Sequence, residues 1–184
     1  MAKFFDALTP AHLEFIAAQK IYFVASAPAT GRVNLSPKGM DTFRVLSATR
    51  VGYLDGSGSG NETAAHLLEN GRVTIMMCSF TTAPLIFRIY GRGRAVHPRD
   101  AEWAELRPRF GPPVPGERQI IVAEVEGVQT SCGFAVPFFD YRGERDTLVK
   151  NCAQRGPDGM ARFWAEKNQR SIDGLPTGLL TDAR

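Results

Sequence analysis

Over its first hundred residues the chain alternates apolar and polar positions in short blocks, with two interruptions at helical spacing. Thr9-Pro10 reads as a cap followed by a first-turn proline, and Leu13, Ile16 and Ala17 recur at helical spacing up to Gln19. The β pattern then takes over at 21–27, turns at 29–31, and continues through 32–35, 42–47 and 51–54 as an antiparallel meander. A Gly/Ser stretch at 55–61 breaks the pattern, and 62–69 reads as a short helix that Asn70-Gly71 stops with a left-handed terminus. Residues 72–80 and 85–96 are long β runs, as expected of curved barrel strands. A short helix at 100–106, a proline-rich loop at 111–116 and a strand rich in β-branched residues at 119–128 complete the barrel pattern.

The last part changes character. Residues 134–141 are rich in aromatics, 158–168 reads as a helix, and 171–176 is an irregular tail, together an arm over about 134–184 that needs something to pack on. No repeat or low-complexity linker divides the 184 residues, so the expectation is one domain, mainly β with peripheral helices: a six-stranded antiparallel split β-barrel.

Charge narrows the partners. The net charge is +3, and the arginines are scattered and form no stripe, which argues against nucleic acid but suits an anionic cofactor or substrate. No apolar run reaches a membrane span and no leader pattern follows Met1, so the expected address is the cytoplasm without membrane attachment. Cys78, Cys132 and Cys152 have no metal or redox spacing and are read as reduced, buried thiols. His12, His66 and His97 fall in unrelated elements, so no metal site is expected, and no nucleophile elbow supports serine hydrolysis.

Two stretches carry candidate chemistry. The loop at 55–63 lies between a strand and a helix, where backbone N–H groups and the positive helix end hold phosphates; Ser57, Ser59, Gly60, Asn61 and Thr63 would add neutral donors and room. It lacks both the Walker and the dinucleotide spacing, and by itself it is equally a flexible turn. The second stretch runs from Arg32 to Gly39. Alternation puts Arg32, Asn34 and Ser36 on one face ahead of Lys38, either as a ligand wall or as the solvated side of a half-buried strand. Trp164, with Lys167, Asn168 and Arg170, either closes over a ligand or packs a terminal helix on the barrel; Phe138, Phe139 and Tyr141 offer the same pair of readings. Arg99 is read as a surface residue.

The order of these motifs is specific: a strand with Arg, Ser and Lys, a strand ending Tyr53-Leu54-Asp55, the Gly/Ser loop, and then "HLLENGRVTIMM". Over 21–96 it resembles the FMN-binding core of the pyridoxamine 5′-phosphate oxidase-like split barrels, with Asn70-Gly71-Arg72-Val73 at the turn into the next strand. The resemblance implies FMN, a homodimer with sites at a two-fold interface, and oxidation or reduction of a small-molecule substrate with NAD(P)H as a possible electron donor. Under it Asn34 and Ser36 would meet the flavin ring, Lys38 its polar edge, and Ser57, Ser59 and Asn61 the phosphate, with Arg88 reaching the cofactor from the facing strand. Met76, Met77, Phe80 and 86–90 would suit the interface or equally the barrel core. The loop has Gly-Ser-Gly-Asn in place of a Ser-Arg-Lys clamp and the C-terminal Arg-x-His motif is missing, which argues against vitamin B6 as substrate. Rival readings are a flavin carrier or sensor without turnover, a split barrel using F420, one using haem with His66 or His97 as axial ligand, and a ligand-free interaction dimer.

Overall fold

The structure, a computed structural model, describes residues 2–180. Helix α1 (Pro10–Ala18) starts where Thr9 and His12 exchange backbone-to-side-chain hydrogen bonds, a capping box that satisfies two N–H groups of the first turn. His12 is buried between the Phe5 and Phe87 rings. The strands are β1 (Lys3–Phe5), β2 (Tyr22–Ser26), β3 (Asn34–Lys38), β4 (Phe43–Ser47), β5 (Arg50–Gly56), β6 (Arg72–Cys78), β7 (Ile86–Val96) and β8 (Glu117–Ser131). All pairings are antiparallel, in the order β3-β2-β6-β7-β8-β5-β4, with β1 added to β8. The result is the expected split barrel, with eight strands where six were expected; β1 is a three-residue addition held by β8 at Lys3↔Thr130.

Alternation sorts the strand residues as the sequence suggested. Val24, Val51, Tyr53, Ile75, Met77, Phe87, Ile89 and Ile121 are buried inside the barrel, and a second cluster lies under Leu106 and Phe110. Met77, Phe87 and Ile89 are therefore core residues, while Met76 and Arg88 alternate outward between them. β7 and β8 slip register at Tyr90/Gly91, where a Cβ on Gly91 would lie 2.2 Å from the Glu124 carbonyl oxygen, so the bulge requires glycine. Pro37 is tolerated because β3 is an edge strand, bonded only to β2.

Helix α2 (Glu62–Asn70) ends at Gly71 in the left-handed conformation, as Asn-Gly implied. The predicted helix at 100–106 is a single turn, α3 (Trp103–Leu106), continued by a 3-10 turn at Arg107–Phe110. The C-terminal helix is longer than its periodicity suggested: α4 covers Thr147–Lys167 with a break at Gly156, whose φ is 65°, ahead of Pro157. The Gly-Pro break hides the first half of α4 from pattern reading. One reading is corrected: Cys132 is exposed, unlike the buried Cys78 and Cys152. Arg99 is on the surface as expected, and it donates to the carbonyls of Gly178 and Leu179.

Candidate functional site

The Gly/Ser loop leaves the end of β5 and enters α2, and β3 runs alongside it. In β3 the inward set is polar and the outward set apolar. Asn34, Ser36 and Lys38 turn to the loop, while Leu35 (64 % exposed) faces outward and Val33, just ahead of the strand, is 75 % exposed. Asn34 donates from Nδ2 to Thr63 Oγ1 (3.1 Å) and Ser36 donates to Asn34 Oδ1 (3.2 Å). Between them lies a cavity of about 320 Å³, lined by Asn34, Ser36, Lys38, Ser59, Asn61, Thr63 and Arg118 among others.

The charges beneath it are organised by Asp55, a buried residue at the end of β5. Its carboxylate accepts from Lys38 Nζ at 2.7 Å, from Arg118 Nη2 at 2.7 Å and from Gln119 Nε2 at 2.9 Å. Burial pushes the Asp55 carboxyl up, but the Arg118 guanidinium and Lys38 ammonium outweigh it and hold the group well below the usual carboxylate range. Gln119 also donates to Asn61 Oδ1 (2.7 Å), and Arg118 Nη1 donates to the Gly60 carbonyl and to Asn168 Oδ1.

Both carboxylate oxygens of Asp55 are thus engaged, yet two buried donors of the network are not. Asn61 Nδ2 and Arg118 Nε have no hydrogen-bond partner, although both residues are at most 3 % exposed and both line the cavity. Asn61 is also the N-cap of α2 and makes no side-chain cap bond. The uncapped N–H groups and the helix dipole at the start of α2 lie beside this polar cavity, an arrangement whose charge suits an oxyanion. Glu62 lines the rim, with both carboxylate oxygens accepting from the Ile172 amide.

Residues 8–132 match the family described as pyridoxamine 5′-phosphate oxidase. The chain belongs to that family. It is 36% identical, over 96% of its own length and 78% of the relative's, to the pyridoxamine 5′-phosphate oxidase family protein ustO of Aspergillus flavus. Among solved structures it is similar to HupZ from Group A Streptococcus (TM-score 0.51, 17% identity, covering 66% of this chain and 92% of that one). It is also similar to a putative pyridoxamine 5′-phosphate oxidase from Lactobacillus delbrueckii (TM-score 0.53, 17% identity, 67% and 94% covered). At these identities the two structures establish the fold.

Set on this family fold, the expected site residues separate. Asn34, Ser36, Lys38, Ser59, Gly60, Asn61 and Thr63 line one cavity. Ser57 does not: its buried hydroxyl donates to the Gly116 carbonyl and accepts from Trp164 Nε1, both at 2.7 Å. Ser57 and Trp164 thus fasten α4 to the loop from behind. Arg32 precedes β3, is largely exposed and pairs with Asp173 of the tail, beside a neighbouring hollow of about 520 Å³. Arg88 lies on the outward face of β7 and donates to Ser131. His66 and His97 are buried and line no part of this cavity.

Pattern reading missed Arg118 and Gln119. Two polar residues opening the otherwise apolar run "RQIIVAEV" were the available signal, because a buried strand accepts charge only where a partner waits. The partner, Asp55, is 63 positions away in sequence, so no local pattern joins them.

Among the described residues there is no cluster of metal-ligating side chains, and no helix is long and apolar enough to cross a membrane.

Proposed function

We propose that the chain binds flavin mononucleotide, with its phosphate in the cradle at the start of α2, and acts as an oxidoreductase on a small organic substrate. The observation that carries this reading is the pair of buried, unpartnered donors, Asn61 Nδ2 and Arg118 Nε, beside an uncapped helix N-terminus. Buried donors without acceptors are costly, about 1–3 kcal/mol each, and an ionised phosphate supplies the missing oxygens. The donor set fits such a group, and Ser59, Thr63 and the backbone of α2 would complete its shell. Asn34, Ser36 and Lys38 continue the polar wall toward the ring. When bound, the flavin ring supplies two-electron transfer; the chain's own residues hold it, orient it and exclude water. NAD(P)H is the proposed reductant.

A homodimer is part of the same reading. Val33 and Leu35 project apolar surface from an edge strand, and Tyr90 adds to it from β7. Such a patch on a strand edge asks for a covering copy.

The test is a flavin fluorescence titration of three proteins. Asn61→Ala should weaken FMN by about 1–3 kcal/mol, because it removes a donor to an ionised oxygen. Ser57→Ala should leave FMN affinity within about 0.5 kcal/mol of wild type, since a residue away from the ligand contributes little. Equal affinity in all three would place the phosphate elsewhere.

A further inference from the structure

On the far side of Lys38 the polar cavity gives way to a groove of about 1260 Å³. The two share Pro37 and Lys38 as lining residues, so they adjoin at the edge of β3. The walls of the groove are different in kind. Phe23 comes from β2 and Ile21 from just before it, Phe80 from just beyond β6, and Phe139, Tyr141 and Leu148 from the C-terminal arm.

The arm is fixed across the groove by few but specific contacts. The Phe139 amide donates to the Phe80 carbonyl, and the two rings meet edge to face with centroids 5.2 Å apart. Tyr141 donates to Glu144 Oε1 (2.9 Å), and Glu144 Oε2 accepts the Met40 amide (3.0 Å). Met40 and Asp41 hold positive φ, 60° and 50°, at the turn between β3 and β4. Lys20 sits 5.9 Å over the Tyr141 ring. Phe139 and Tyr141 nevertheless remain 66% and 54% exposed, so each ring offers a face to the groove's contents.

We infer that this groove is the substrate site of the flavin centre and that it takes a flat, largely apolar organic molecule of two or more aromatic rings. The inference rests on the flavin reading for what lies at the Lys38 end. Three features favour a small molecule of this class. At about 1260 Å³ the groove is above the roughly 300–1,000 Å³ of ordinary small-molecule sites. Aromatic rings approach it from both the sheet and the arm, which suits stacking on a flat ligand. It also adjoins the polar cavity at Pro37 and Lys38, which puts one end of an occupant near the proposed cofactor. The arm lies beyond residue 132, outside the matched family region, so its aromatic walls are an addition to the barrel that the family model describes.

The experiment uses the full-length protein and anilinonaphthalene sulfonate as the aromatic probe, followed by fluorescence. Saturable binding of one probe per chain is expected. The double substitution Phe139→Ala with Tyr141→Ala should weaken it about tenfold, the combined worth of two aromatic contacts. Phe134→Ala, in the same arm but outside the groove, should leave it unchanged. Tyr141→Phe, which keeps the ring, should bind the probe as wild type does. FMN titration of the same samples separates the two readings: intact FMN binding with unaltered probe affinity in the double variant overturns the groove assignment alone. Absence of saturable probe binding overturns it too. So does a double variant that sediments as a monomer where wild type is a dimer, which would make the groove a contact between copies.

Discussion

Asp55 decides the electrostatics of the site, because it is the single carboxylate that Lys38, Arg118 and Gln119 share. Asp55→Asn should therefore destabilise the fold by about 3–5 kcal/mol, the cost of leaving buried cations uncompensated, and a denaturant melt reads it. The same residue sets one pH window. Its carboxyl is held below the ordinary range in the folded state, so its stabilisation is complete above about pH 4 and is lost as pH falls below that. His97 sets another. Burial first, and then the Arg99 guanidinium, lower it from 6.5, so the folded state favours neutral imidazole and loses stability as pH falls below that value. Burial lowers His12 in the same direction. Thermal melts from neutral to strongly acid pH should show a decline in two stages; a flat profile down to about pH 4 would contradict the histidine assignment. Asn61 was legible as a candidate because it precedes a helix after a Gly/Ser loop, whereas Arg118 was not, because its role depends on a pairing between distant strands.

At the scale of elements, the polar inner face of β3 and the start of α2 make the site, and α4 with its tail secures it. Trp164 bonds Ser57, Asn168 receives Arg118 and donates to the Gly58 carbonyl, and Thr177 donates to the Asn168 carbonyl. Arg99 holds that tail at Gly178 and Leu179 through their two carbonyls. Arg99→Ala should raise the hydrogen-exchange rate of the tail amides, including Leu179, while strands β5 to β8 keep their protection. Alternation made the strands readable, and Thr9-Pro10 and Asn70-Gly71 made two helix ends readable. The first half of α4 was hidden behind Gly156-Pro157, and β1 was too short to form a pattern. The apolar outward face of β3 inverts the usual rule, which is why alternation alone left open which face of 32–36 met a ligand.

At the scale of the whole molecule, one antiparallel split barrel places its long strands β7 and β8 at the centre and the site at one rim, between an edge strand and a helix start. The exposed apolar side chains of Val33 and Leu35 belong to this scale, as surface that the proposed dimer would cover. Leu35→Lys should shift the protein from dimer to monomer in sedimentation, with little change in secondary structure; an unchanged mass would remove the β3 edge from the proposed interface. The central claim is the flavin, and the most direct measurement is the visible absorption spectrum of purified protein after adding FMN and removing the excess. Flavin bands that travel with the protein at one equivalent per chain are the predicted result, and a colourless protein with no gain in thermal stability from FMN would contradict it.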